Sequence, residues 1–332
     1  MCTKHDPIIS VIIPTFQRYE MLCQAIQSVK AQTYKNIEVI VVDDCSNDNT
    51  SNIVNLFPSV IYFRNEKNSG PGFSRQFGLR NSHGEFVVFL DDDDFYTDNN
   101  YFYHALTLLK SNPEYSFVSA NATILYTASG ETEQNSLNVS GKMSAANYLE
   151  GFPFKNKKPP STFTTIFRKS ILQMADIDTM QMVNDIPLYM RCLTVGGFVF
   201  FLEREVGVYR IHNTNISKAI SADFIIENLK EKANVLEYIK EKKIFTGYNT
   251  WWSWQINGTI SYYVTGSQPS LSEYRKVRQW IIQYSEEKRV VREVLRKYTK
   301  LLLYYKQCAV KTQIKDFFKK KHRLFQQGDT YG

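Results

Sequence analysis

No stretch of the 332 residues approaches the run of about 20 apolar residues needed to cross a bilayer. The opening residues, MCTKHDPIIS, also lack the basic head and long apolar core of a secretion signal. A chain retained in the cytoplasm is therefore expected. Cysteine is sparse: Cys2, Cys23, Cys45, Cys192 and Cys308 stand singly, with no CxxC pair. An odd, scattered set gives neither a disulfide framework nor zinc-site spacing, and free thiols in a reducing compartment fit it best. The first strand-like run is not followed by GxGxxG, and GxxxxGK[ST] occurs nowhere. The dinucleotide and P-loop classes thus lack their phosphate cradle, and phosphates here must be bound by metal and side chains. A net charge of +7 is modest for this length, so its placement matters more than its size.

What is present is a large apolar reserve, 43% hydrophobic and 14% aromatic, enough for one large domain or two closely packed ones. Short apolar runs alternate with helical patterns through the first third. IISVIIP, IEVIVVDD, VIYFRN and EFVVFLDD read as strands; MLCQAIQSVKAQ, TSNIVNLF, GFSRQFGLRNS and NYFYHALTLLKSNPE read as the helices between and after them. Nearly continuous Val and Ile mark strands buried on both faces, as in one half of a doubly wound, mainly parallel α/β sheet. From about residue 115 the rhythm loosens. A strand-like YSFVSANATILY, a polar stretch over 127–141, KNKKPPSTFTTIFRKS, a helix around 186–195, and two strand-like runs, FVFFLE and VGVYRI, follow in order.

Two strands end in acid: Asp43 and Asp44 after Val42, and Asp91 to Asp94 after Leu90. In an open parallel sheet both ends face one crevice. Adjacent carboxylates raise one another's pKa unless a cation lies among them, and hard oxygen ligands suit Mg²⁺ or Mn²⁺ bridging to substrate phosphates. A solvated turn or a helix N-cap is the plainer reading of an Asp run. The placement of these four, directly after a buried strand and opposite a second pair, favours the cation.

ISVIIPTFQR, SVKAQTYKNIEVIVVDDCSNDNT, NEKNSGPGFSRQFGL and HGEFVVFLDDDD resemble, in order and spacing, the successive motifs of a glycosyltransferase family 2 catalytic domain of the GT-A fold. The resemblance covers about residues 8–215 and is strongest up to Tyr96. It implies an enzyme that moves a sugar from a nucleoside diphosphate donor, typically a UDP-sugar, to an acceptor hydroxyl, usually with inversion. It implies that Pro14, Thr15 and Phe16 line the nucleotide pocket, that Asp44, with Asp43 beside it, meets the base, and that Arg75 lies near the diphosphate. Asp91, Asp92 and Asp93 match the DxD motif, with Asp93 the main metal ligand, Asp92 facing ribose or metal, and Asp94 the fallback. VNDIPLYMRC matches the segment that carries the general base, here Asp185, with Asn184 where an acid is usual. VYRIHNTNIS is similar to the ending that supplies a histidine, His212, for the metal or diphosphate. As plain alternatives, Asp185 is an N-cap and Arg75 a surface ion pair.

The implied partition is a catalytic domain over 1–220, its donor half 1–110 and acceptor half 111–220, with a helical, basic region over 221–332. Lys157 and Lys158 lie on the implied acceptor side, either against a phosphate of a lipid-linked acceptor or solvating a loop. In REVLRKYTKLLLYYK and KDFFKKKHRLF, basic residues interleave with Leu, Tyr and Phe. That pattern suits an interfacial helix on the inner face of a bacterial membrane, or a stripe packed on the enzyme core or a second subunit. Trp251, Trp252 and Trp254 suit either surface. Nothing resembles a nucleic-acid reading motif. A non-catalytic nucleotide- or glycan-binding subunit with the same fold is the alternative function.

Overall fold

The computed structural model describes residues 6–180, 183–212, 220–285 and 291–305. The chain divides into two compact units, one of residues 1–215 with 231–248, the other of 216–230 with 249–332. The first is built on a ten-stranded sheet. Strands β1 (Ile9–Thr15), β2 (Ile37–Asp43), β3 (Val60–Arg64) and β4 (Phe86–Phe89) pair in parallel in the order β3-β2-β1-β4. Their register sets Thr15 beside Asp43 and Ile12 beside Phe89. Every residue of β1 and β4 is buried, as their mainly apolar sequences require when helices cover both faces. Because the four strands are parallel, Thr15, Asp43 and the residues after Phe89 emerge along one edge of the sheet.

Helix α1 (Tyr19–Lys30) crosses from β1 to β2. Between β2 and β3 lie a 3₁₀ turn (Asn49–Asn52) and the short helix α2 (Ile53–Leu56), where the sequence reads as one helix. Helix α3 (Pro71–Arg80) begins with Pro71 at its first position, where the missing N–H costs nothing, after Gly70 at φ +85°. Gly78 is a poor helix former kept for proximity: a Cβ there would lie 2.4 Å from Ile12 Cγ2. Gly78→Val is therefore expected to push α3 off β1, costing about 1–3 kcal/mol. Urea midpoints against wild type measure it, and an unchanged midpoint would refute the packing account.

The second half of the sheet is mixed. Strands β6 (Tyr115–Tyr126) and β9 (Thr165–Arg168) join it antiparallel through β4·β9 and β9·β6. β10 (Phe198–Ile211) runs parallel to β6 and antiparallel to the two-residue β5 (Phe95–Tyr96). The runs FVFFLE and VGVYRI, read as two strands, form this single strand, with register shifts on either side of Glu205. Exposed Glu203, Arg204 and Glu205 interrupt its apolar pattern. The polar stretch also holds strand: β7 (Thr132–Asn135) pairs with β6, and β8 (Gly141–Ser144) with β10. Helices α4 (Tyr101–Ser111), α5 (Ala145–Gly151), α6 (Lys169–Met174) and α7 (Asp185–Val195) complete the unit with the end of α8 (Ala222–Lys242).

The second unit is helical, with α9 (Tyr248–Tyr262), a π turn (Tyr263–Ser267), α10 (Leu271–Tyr284) and a further helix over 291–305. Ser270 and Glu273 form a capping box at the start of α10. Trp251 and Trp252 are interior residues, the latter donating its indole N–H to Ser285 Oγ at 3.2 Å. In the helix over 291–305, Val291, Leu295, Tyr298 and Leu302 are buried. Much of the apolar stripe suited to a membrane surface is thus covered by protein, while Arg292, Arg296, Lys297 and Lys300 are exposed. KDFFKKKHRLF lies outside the described residues. Among the described residues no helix is long and apolar enough to cross a membrane.

Candidate active site

Beyond β1 the chain turns through Gln17, at φ +53°, and brings Arg18 back over the end of β4. Arg18 Nη1 lies 2.9 Å from Asp92 Oδ1 and 2.8 Å from Asp93 Oδ2. Thr15 Oγ1 donates to Asp92 Oδ2 at 2.8 Å. His212, just past β10, places Nε2 2.9 Å from Asp93 Oδ2. Asp94 is fully buried and accepts from Ser161 Oγ and from the Arg210 backbone N–H, each at 3.1 Å. The four aspartates are consequently not equivalent. One carboxylate oxygen each of Asp91, Asp93 and Asp94 lies within 4.8 Å of the others, whereas Asp92 turns towards Thr15 and Arg18.

Burial raises the pKa of Asp91, Asp92 and Asp94. It pushes Asp92 up to about 7 despite the opposing Arg18, with Asp93 adding to the rise. Asp91 is also raised, by burial first, against the lowering pull of Arg75, and Asp94 is raised well above the usual carboxylate range by burial and its neighbours Asp93 and Asp91. Converging, buried, hard oxygen donors with too much negative charge match what Mg²⁺ or Mn²⁺ requires, so the residues present fit a divalent cation.

Arg75, buried on α3, links this cluster to the next. Its guanidinium donates to Asp91 Oδ1 and, at 3.0 Å, to the Val183 carbonyl, and its Nη1 is 3.9 Å from Asp185 Oδ1. Asn184 is the N-cap of α7 and Asp185 its first residue, so the carboxylate sits at the positive end of the helix. Lys158 Nζ donates to Asp185 Oδ2 at 3.0 Å. Burial alone would raise the Asp185 pKa, but the Lys158 ammonium and then Arg75 outweigh it and hold the carboxyl below its usual range. Arg191, six residues on, points away, donating to Glu231 Oε2 at 2.5 Å and to the Asp176 carbonyl at 2.9 Å.

Asp43 and Asp44 belong to an adjoining network. Asp43 accepts from Ser46 N–H at 2.8 Å, Tyr62 Oη at 2.6 Å and Arg64 Nη1 at 3.1 Å. Asp44 accepts from Asn65 Nδ2 and Ser69 N–H, both at 2.8 Å, and from Gly70 N–H at 2.7 Å. It therefore fastens the turn that starts α3 and so positions Arg75. Pro14 is buried within β1, and Phe16 is exposed at the rim. The sequence reading missed Arg18 and Ser161, and it left Lys158 between two roles. Arg18 had one available signal, a cation three residues past the end of a strand whose neighbours end in six acids. Neither Ser161 nor the Lys158 pairing has a local signal.

Residues 10–174 match the family model described as Glycosyl transferase family 2. The chain is 32% identical over 214 residues to the Campylobacter jejuni GalNAc(5)-diNAcBac-PP-undecaprenol beta-1,3-glucosyltransferase, the match covering 62% of this chain and 65% of the relative. It is 37% identical over 100 residues to WcaA of Escherichia coli K12, a putative colanic acid biosynthesis glycosyl transferase, over 29% of this chain and 36% of that one. The chain therefore spans under two thirds of the length of these curated relatives. Among solved structures, residues 1–349 of S. aureus TarS in complex with UDP superpose with a TM-score of 0.66 at 18% identity, covering 90% of this chain and 91% of that one. The same protein with UDP-GlcNAc gives 0.66 at 19% identity, with the same coverage. At that identity the likeness is one of fold.

Proposed function

This chain belongs to glycosyltransferase family 2 and has the GT-A fold, and from that premise we propose that it transfers a sugar from a UDP-sugar to a hydroxyl of a glycan or lipid-linked acceptor, with inversion and with Mn²⁺ or Mg²⁺ bound. The observation that carries the reading is the linkage of the Asp91–Asp94 cluster to Asp185 through one buried arginine, Arg75. On this reading donor and acceptor chemistry share one crevice. The lipid-linked acceptor is favoured by the undecaprenol-linked substrate in the name of the Campylobacter relative. UDP is favoured by the complexes of the fold neighbour.

In this reading Pro14, Thr15 and Phe16 flank the nucleotide and Asp44 meets the base, while Asp43, its side chain fully buried against Ser46, Tyr62 and Arg64, supports Asp44 from behind. Asp93 and His212 would hold the cation, with Asp91 and Asp94 beside them, and Asp92 orients Thr15 and Arg18 towards the ribose. A divalent cation held there would supply positive charge opposite the departing diphosphate. Arg18 and Arg75 add fixed positive charge around it. The acceptor oxygen attacks the anomeric carbon from the face opposite the nucleotide, and its proton passes to Asp185. As the new C–O bond forms, the bond from the anomeric carbon to the β-phosphate oxygen breaks, and its electron pair leaves on UDP. The C-terminal basic residues remain candidates for peripheral contact with the inner membrane face.

The test is UDP release with Mn²⁺ from a panel of UDP-, GDP- and dTDP-sugars, without acceptor, since slow hydrolysis needs only water. Release from UDP-sugars is expected. Binding of UDP without release from any donor would instead support the non-catalytic subunit.

A further inference from the structure

We propose that Lys158 is a positioning residue for Asp185, and that a phosphate or diphosphate ester on the acceptor draws its ammonium away when the acceptor binds. The inference rests on Asp185 being the proton acceptor. Lys158 donates to Asp185 Oδ2 at 3.0 Å and to the Pro160 carbonyl at 3.4 Å, from a segment whose backbone is firmly held. Tyr148 Oη donates to the Lys157 carbonyl at 2.6 Å, and the Lys157 N–H donates to Asn138 Oδ1 at 2.8 Å. The long side chain can then swing from a held backbone. The two side chains retain 26% and 33% of their exposure, so a ligand reaches the ion pair directly. Exposed Lys155 and Lys157 stand on the same segment, giving an arriving anion further cationic partners. Behind Asp185, Arg75 at 3.9 Å from the other oxygen keeps the carboxylate oriented after Lys158 departs.

The consequence is chemical. A carboxylate clamped by an ammonium is a poor proton acceptor, and releasing the clamp only when an anionic acceptor is seated reserves its basicity for that acceptor over water. Against burial, Lys158 and then Arg75 on α3 lower the Asp185 pKa, while Asp91 beyond β4, Tyr189 on α7 and Tyr209 on β10 lie near enough for Asp185 to raise theirs. Of these, Lys158 is the leading cation. A Lys158→Met change removes it and leaves Arg75 in place.

The first experiment measures acceptor-free UDP release from UDP-glucose and UDP-N-acetylglucosamine against pH. Lys158→Met is expected to raise hydrolysis at pH 7.5 about three- to tenfold, because proton-transfer rates follow the strength of the base. Its acidic limb should move to higher pH, while Lys158→Arg keeps the wild-type profile. A purely structural lysine would lower the rate and leave the limb in place, and that result overturns the proposal. The second experiment compares three acceptors bearing one sugar: an isoprenyl diphosphate, a sugar 1-phosphate without lipid, and an octyl glycoside. Wild type should show a KM at least about tenfold lower for the phosphate-bearing acceptors, and Lys158→Met should reduce that ratio, leaving the part due to Lys155 and Lys157; an unchanged ratio overturns the proposal. A difference between the first two acceptors assigns the remainder to the lipid. Equal KM for all three in wild type overturns the phosphate role. If wild type releases UDP from no donor, the transferase reading itself fails and takes this inference with it. If wild type turns over and only the Lys158 profiles are flat, this inference alone fails.

Discussion

Asp185→Asn should lose about 10²–10⁴-fold in the acceptor-dependent rate while binding UDP as tightly as wild type. The size follows from the role: an amide of the same shape fills the first position of α7 but accepts no proton. The substitution is mild for the fold, because Asn184 is the cap and the amide oxygen still faces Lys158 and Arg75. On the proposed reading donor binding is set elsewhere, by the Asp91–Asp94 cluster and the Asp43–Asp44 network. The loss should therefore fall on kcat, with the donor KM nearly unchanged. Steady-state UDP release with acceptor, together with the UDP-induced melting shift, separates the two effects. An Asp185→Asn enzyme of wild-type rate would return Asp185 to a helix-terminal charge and move the search for the base elsewhere. Loss of both rate and UDP binding would indicate instead that the Arg75 linkage had collapsed.

The first half of the fold was legible because its strands are buried on both faces and their sequences say so without interruption. Every residue of Ile9–Thr15 is buried, and in Ile37–Asp43 only the first two, Ile37 and Glu38, are partly exposed. The later strands were less legible for the converse reason. β10 carries Glu203, Arg204 and Glu205 at its middle, and β7 is a polar edge strand held by its pairing with β6. β5 is only two residues inside what reads as a helix approach. In the site, the acids announced themselves by following apolar runs. Their partners did not, since Arg18 meets Asp92 across 74 residues of sequence and Lys158 meets Asp185 across 27. The different orientations of the four aspartates likewise arise from tertiary neighbours, Thr15 for Asp92 and Ser161 for Asp94. A run of identical residues carries no internal cue to its own phase.

That phase sets the second large effect. Mn²⁺ with UDP, each at about a hundred times its dissociation constant, should raise the melting temperature by on the order of 5 °C. Asp93→Ala should abolish the shift. Asp93 is the member of the cluster that touches both Arg18 and His212, and its oxygen converges with those of Asp91 and Asp94. Asp92→Ala should retain part of the shift, since its carboxylate faces Thr15 and Arg18. The effect also carries a pH signature. Asp91 and Asp94, beside the cation, have raised pKa values, as does Asp92 next to them, at about 7, so as pH falls the metal-free cluster takes up protons that a cation must displace. Their folded values exceed the unfolded ones, so proton binding by the cluster favours the metal-free fold at low pH and fades as pH rises through about 7. Mn²⁺ affinity should accordingly increase between pH 6 and pH 8, by up to about tenfold per pH unit for each proton released. Calorimetric titration in two buffers of different ionisation enthalpy counts those protons. Equal affinity at both pH values, or an Asp93→Ala protein that keeps the full melting shift, would remove the cation from this cluster.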